Sequence, residues 1–307
     1  MRRDRDAMVW RVLSALGIED ADLLPLGAGL ASEAWRIGHR HPWYALRIGR
    51  MWTEGRSTFE MEHALMARLV ANGARVPTPV RGSWELEDWS GPPFSFTLGL
   101  DGGPLAKVGH ERAAPAMAAF LRTLHGLPIP GHGALTVVDG VLRGEQDTRE
   151  VGLRAWAQRP LWPLGAARLD AHAALADRPA LRELIGAHEA TVRAALGHGP
   201  GVPLHSDLHE ENILDADGEL GFIDFGEGLV GPAAWEFAAI GYFLGWPMAD
   251  ATLAAYLDDS RDLERWRADA SAIALCFGVY RWAQDRELEM DEDTHDEEFL
   301  LETLARL

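Results

Sequence analysis

Apolar positions alternate with polar ones in two different rhythms along this chain. Met8, Val9, Val12, Leu13 and Leu16 recur at helical spacing, and Gly17 ends that run. Residues 34–37 and 43–48 read as short strands, the second with strict alternation. Residues 58–70 return to helical spacing through Phe59, Met61, Leu65, Met66 and Leu69. Pro77 and Pro79 break the chain, and residues 80–85 and 94–98 read as the last two strands of a small sheet. Beyond residue 105 the pattern predicts helices over 113–124, 181–196, 233–244, 253–257 and 270–282. Residues 127–178, rich in Pro, Gly and Trp (Trp156 and Trp162 among them), read as irregular. Strands thus lead and helices follow, an α+β arrangement, and the Gly/Pro-dense residues 98–105 mark the boundary.

One stretch departs from this division. Residues 204–225, LHSDLHEENILDADGELGFIDF, carry two apolar runs, 212–214 and 220–223, around the turn-forming residues 215–218. This predicts a β-hairpin whose outer ends are neighbours, so Asp207, Asn212 and Asp224 are expected to converge. A carboxylate oxygen from Asp224 and an amide oxygen from Asn212 suit Mg²⁺, which takes few protein ligands and prefers water and phosphate oxygens besides. Asp207 is the candidate to face a substrate hydroxyl. The competing chemistry is a zinc site built on His205, Asp207 and His209, but no further His or Cys cluster with ligand spacing accompanies them.

Asp207-x-x-x-x-Asn212 followed by Asp224-Phe225-Gly226 is the phosphoryl-transfer pattern of kinases. With His205 and Ile223 added, the segment resembles the aminoglycoside phosphotransferase family, whose motif is H-G-D-x-x-x-x-N followed by I-D-F/W. Ser206 stands where the family has Gly; if φ is positive there, Ser carries a strain of roughly 1 kcal/mol or more. The resemblance implies a bilobal protein-kinase-like α+β fold: an N-lobe over residues 1–99, a five-stranded antiparallel sheet with one helix, and a mainly helical C-lobe over 100–307. It implies Mg²⁺ with ATP or GTP as co-substrate. Asp207 would orient and deprotonate the acceptor hydroxyl, Asn212 and Asp224 would hold Mg²⁺, and His205 would be structural. The third strand of such folds carries a phosphate-gripping lysine; here Arg47 stands in that strand, and Lys107, the only lysine, lies too far along the chain. Glu62 is the implied acid partner of Arg47, with Glu60 competing. Ser32 is a candidate phosphate contact in the Gly-bearing loop 24–33, and Glu236 falls where the family commonly has an acid.

Composition narrows the acceptor. The net charge is −18, and residues 201–307 hold 25 acidic against 6 basic residues while residues 1–200 hold 22 against 23. Such a face repels nucleic acid and attracts cationic ligands. The acidic run 290–298 reads as a solvated helix start. A single cysteine, Cys276, fits a reducing cytoplasm, and neither a signal peptide nor a membrane span is read. Trp246, Trp266 and Trp282 fall where an acceptor cleft is expected. The expected acceptor is a small cationic hydroxyl compound of antibiotic size, an aminoglycoside first and a macrolide or basic peptide next. The alternatives are a metabolic kinase acting on choline, homoserine or a sugar, and a catalytically silent nucleotide-binding module.

Overall fold

The computed structural model describes residues 2–28, 32–39, 42–49, 55–105, 110–154, 162–164, 169, 175–287 and 293–307. Gly29, Leu30 and Ala31 of the Gly-bearing loop, Lys107, Trp156 and residues 290–292 lie outside them. The chain divides into two compact units, Met1–Asp101 with Gly221–Gly226, and Gly102–Leu220 with Glu227–Leu307.

The first unit begins with α1 (Arg2–Ala15), followed by β1 (Leu23–Ala28), β2 (Ser32–Ile37), β3 (Tyr44–Gly49), α2 (Gly55–Ala71), β4 (Thr78–Gly82) and β5 (Phe94–Leu98). The strands form one antiparallel sheet in the order β1-β2-β3-β5-β4. The two-residue period of a strand sorts β3 between two faces. Leu46 and Ile48 join Phe94 and Phe96 of β5 in a core with Val9, Val12 and Leu13 of α1. Arg47, between them, points to the opposite face, where Phe59 and Glu62 of α2 receive it. The sheet is therefore covered on both faces by the two helices that the apolar spacing predicts, α1 and α2, one more than the resemblance implies. The strand expected over 80–85 stops at Gly82; Glu85 Oε2 accepts from the Gly82 N–H at 2.7 Å and closes a 3₁₀ turn over Ser83–Glu85.

The second unit runs through β6 (Gly103–Pro104), α3 (His110–His125), β7 (His132–Val138), β8 (Val141–Gln146), α4 (Arg149–Arg154), α5 (Pro179–Ala187), α6 (Glu189–Gly197) and β9 (Gly201–Leu204). The hairpin strands β10 (Ile213–Ala216) and β11 (Glu219–Phe222, whose last two residues are counted with the first unit) follow, then β12 (Leu229–Pro232), α7 (Ala234–Leu244), α8 (Trp246–Tyr256), α9 (Leu263–Glu287) and α10 (Asp293–Arg306). Asp217 and Gly218, both at positive φ (56° and 95°), make the tight β10–β11 turn. Several expectations are corrected. The irregular reading of 127–178 fails for the β7–β8 hairpin, turned by Asp139 and Gly140 at φ 51° and 75°, and for α4. The helix expected over 181–196 is two helices joined at His188. Trp246 and Trp282 are core residues at 3% and 0% exposure, not cleft residues; the Trp246 ring stacks on that of Phe299 at 5.9 Å and Arg178 lies over the Trp282 ring at 4.8 Å. The acidic run is not all solvated: Asp296 is fully buried and accepts from Tyr242 Oη at 2.6 Å.

Candidate active site

In the second unit β9 pairs with β12, Leu204 opposite Leu229, and delivers the segment that begins at His205. Glu236, in the first turn of α7 and fully buried, catches that segment from below. Its Oε2 accepts from the His205 N–H at 2.7 Å and its Oε1 from the Ser206 N–H at 3.0 Å. Two hydrogen bonds to a carboxylate are strong enough to hold Ser206 at φ +68°, a region that costs L residues about 1 kcal/mol or more. Leu208 is fully buried, which anchors the loop between Asp207 and His209, both mostly buried at 20% and 29% exposure. The Asp207 N–H donates to His205 Nδ1 at 3.3 Å, so the buried His205 ring braces the backbone from within.

Asn212 ends a 3₁₀ turn over Glu210–Asn212, just before the first arm of the hairpin, as expected. Its Nδ2 donates to the Asp207 carbonyl at 2.8 Å and to Asp207 Oδ2 at 3.2 Å. With both amide hydrogens spent on Asp207, Oδ1 is the atom Asn212 can offer a hard cation. His209 Nε2 lies 3.6 Å from Asp207 Oδ2, and Arg281 Nη1, from α9, lies 3.9 Å from Oδ1. Among the described residues no three or more His, Cys, Asp or Glu side chains group as metal ligands, so the zinc alternative finds no ligand set.

The first unit gathers Ser32, Arg47, Glu62 and Asp224. Arg47 Nη1 donates to Glu62 Oε2 at 2.6 Å, Nη2 to Asp224 Oδ1 at 3.1 Å and Nε to Ser32 Oγ at 3.5 Å, while the guanidinium lies 5.2 Å from the Phe59 ring centre. Glu62 is the acid that meets it. Glu62 is 2% exposed and Asp224 47%, so one carboxylate is sealed and the other is presented. Asp224 takes φ +61°, a conformation Asp tolerates better than most residues. Its segment is tied down by the Phe222 N–H donating to Arg75 O at 3.0 Å. Burial pushes the Glu62 carboxyl up to about 7 against the pull of Arg47. Burial also works against the Arg47 cation, yet Glu62 and Asp224 together hold it above its ordinary value. Burial, and secondarily Arg47, lowers His63 to about 4; its ring meets Ser95 Oγ at 2.7 Å.

The six candidate residues thus fall into two groups, Ser32, Arg47, Glu62 and Asp224 in the first unit and Asp207 with Asn212 in the second. Arg281 escaped the sequence reading. Its signal is legible in hindsight, since it is the only charged residue in the run 270–282. Trp266 lines a cavity of about 390 Å³ in the second unit, with Tyr256, Arg265 and Asp269, that none of the six reaches.

The model of the APH phosphotransferase enzyme family matches residues 22–289. Among solved structures, the GDP and kanamycin complex of the aminoglycoside phosphotransferase APH(2")-IIIa is 16% identical and covers 98% of each chain at a TM-score of 0.68. A ternary complex of a thermostable aminoglycoside phosphotransferase APH(4)-Ia mutant with AMP-PNP and hygromycin B is 15% identical, covers 96% of this chain and 97% of that one, and has a TM-score of 0.66. No curated protein matches the chain. At such identities the likeness shows the fold: an antiparallel-sheet lobe and a helical lobe of kinase type.

Proposed function

Because the chain belongs to the APH phosphotransferase enzyme family, we propose that it transfers the γ-phosphoryl group of ATP or GTP to a hydroxyl of a small cationic acceptor, most simply an aminoglycoside, so as to inactivate an antibiotic. The observation that carries this reading is the pair of clusters: Arg47 held between Glu62 and Asp224, and Asp207 held by Asn212. In it the sheet unit, residues 1–99, takes the nucleotide, and residues 100–307 bring the acceptor. Arg47 grips nucleotide phosphates from β3, Glu62 keeps it aimed, and Ser32 adds a hydroxyl beside it. Asp207 orients the acceptor hydroxyl and takes its proton as the oxygen attacks phosphorus. Asn212 and Asp224 would hold Mg²⁺. The donor set fits that ion in kind: a half-exposed carboxylate, and an amide oxygen whose own Nδ2 is taken up by Asp207. Mg²⁺ when bound neutralises charge on the phosphate oxygens. The reaction belongs in the cytoplasm, where one unpaired, buried cysteine also fits. No helix of the described residues is long and apolar enough to cross a membrane.

The cationic acceptor is supported by the acidic excess of residues 201–307 and by kanamycin and hygromycin B in the similar structures. Part of that excess is spent internally: Asp250 on Arg267 and Arg306, Asp259 on Arg261, Asp269 on His198. The preference should accordingly be moderate and should shrink with salt, since exposed charges are screened over about 8–10 Å at 0.1–0.15 M. The test is kcat/KM across cationic, neutral and anionic hydroxyl acceptors at two salt concentrations, product identified by mass. Preference for a neutral or anionic acceptor would remove the charge argument and move the reading to the small-alcohol kinases. A nucleotide-binding module without transfer is the second reading, favoured by the engagement of Arg47 with both carboxylates. Nucleotide binding without turnover of any acceptor would establish it.

A further inference from the structure

We propose that Arg281 is a positioning residue for Asp207, an inference that rests on the assignment of Asp207 as the group that takes the acceptor proton. The argument begins with the place of Arg281 in α9. Residues 270–280 and 282 are buried, and Arg281 is the one charge among them. A guanidinium inside such a run is tolerated only where its charge is compensated. Its side chain is 20% exposed, the same as that of Asp207, so the pair is partly withdrawn from water, where a charge–charge interaction is stronger than at the open surface.

The aim of Arg281 is set by packing. Its guanidinium carbon lies 5.0 Å from the centre of the Phe243 ring and 5.8 Å from that of Tyr242, both on α7. Cation–π contact with the two rings restrains the planar group. The same helix carries Glu236, which holds the backbone of His205 and Ser206. One element therefore fixes both the main chain before Asp207 and the cation that faces its side chain.

The two carboxylate oxygens of Asp207 are treated differently. Oδ2 receives Asn212 Nδ2 at 3.2 Å and has His209 Nε2 at 3.6 Å. Oδ1 faces Arg281 Nη1 at 3.9 Å, too long for a hydrogen bond but within ion-pair range. The Asn212 bond alone leaves the carboxylate able to rotate about its own axis. A cation on the other oxygen removes that freedom and favours one orientation toward the acceptor hydroxyl, which is where misplacement is expensive in rate.

The test uses the full chain with Mg–ATP and three acceptors: kanamycin, hygromycin B and the fastest member of the acceptor panel. Arg281→Gln should lower kcat about tenfold while the KM for ATP stays within about twofold. Arg281→Lys, which keeps a cation at the site, should recover at least about a third of the lost activity. In an Asp207→Asn background, Arg281→Gln should cause no further loss, because the group it positions is gone. Equal losses in both backgrounds, a change in KM alone, or a Lys variant no better than Gln would overturn the proposal. Should Arg281→Gln not fold, Arg281→Lys paired with Asp207→Asn decides: a loss confined to the Asp207 background supports it and an equal loss refutes it. Near-normal turnover by Asp207→Asn alone would instead sink the assignment of Asp207, and the role of Arg281 with it.

Discussion

In the first unit two carboxylates, Glu62 and Asp224, share one guanidinium. In the second, the buried carboxylate of Glu236 is held by two backbone N–H groups. The first arrangement is a network of side chains held to one another by charge. The second converts a carboxylate into a fixed piece of backbone architecture and imposes a left-handed φ on Ser206. A site that must let nucleotide enter and leave is served by the first kind. A base that must point one way is served by the second. The two should therefore fail differently: the charge network through binding and pH, the braced loop through turnover and stability.

The sharpest break is at the braced loop. Asp207→Asn should lower kcat by roughly 10²–10⁴ and leave nucleotide affinity nearly unchanged, as single-turnover assays and calorimetry would show. Turnover close to wild type in the folded variant would end the role of Asp207. Glu236→Ala should remove the acceptor of two buried N–H groups and destabilise the fold by about 3 kcal/mol, at about 1–3 kcal/mol for each unsatisfied group. Urea unfolding measures it, and a loss under about 1 kcal/mol would mean that the loop holds itself.

Beside the charge network, the burial of His63, which is 7% exposed, and secondarily the charge of Arg47 predict acid sensitivity. His63 titrates near 4 when folded against an ordinary 6.5. The unfolded chain therefore takes up a proton below pH 6.5 while the native chain waits until pH 4. Stability is full above 6.5 and falls as pH drops through that window, by about 3 kcal/mol in total. His63→Asn should flatten the curve between pH 4 and 6.5. An unchanged slope would assign the acid loss to other groups. Arg47→Ala should raise the nucleotide KM or lower kcat at least about tenfold, or about 1.4 kcal/mol, and Arg47→Lys should retain part of the activity because a single ammonium cannot reproduce both arms of the fork. Wild-type kinetics in Arg47→Ala would return that residue to a structural role.

The two regions were also unequally legible. The braced loop is local in sequence, so His205, Asp207, Asn212 and the Asp217-Gly218 turn could be read from offsets alone. The charge network joins β2, β3, α2 and residue 224; alternation and helical spacing gave the strand and the helix, but the pairing of Arg47 with Glu62 came only from the family resemblance, with Glu60 left competing. The β7–β8 hairpin was missed although Asp139-Gly140 is a strong hairpin signal, because Pro, Gly and Trp on either side masked the alternation. Trp246 and Trp282 were misplaced because a tryptophan's sequence position does not say which helix face carries it. Arg281 and the buried Asp296 show the same limit: pairing between distant helices leaves little trace in local pattern.

The finest probe of the comparison is Ser206→Gly. Ser206 is 2% exposed at φ +68°, and its Oγ makes no hydrogen bond among the described residues. The side chain thus brings strain and an unsatisfied hydroxyl into the loop without a visible return. Glycine relieves both, at the expense of a more flexible unfolded chain. The strain and the hydroxyl are together worth about 2 kcal/mol, and the entropy offsets about half, so Ser206→Gly should raise the unfolding free energy by about 1 kcal/mol. Because Glu236 rather than Ser206 sets the loop geometry, kcat should stay within about twofold of wild type. Urea unfolding with parallel kinetics reads both. A stability gain with unchanged kcat would confirm that the loop is braced from α7. A loss of kcat despite the gain would show that the serine hydroxyl, and not the brace alone, keeps Asp207 in position.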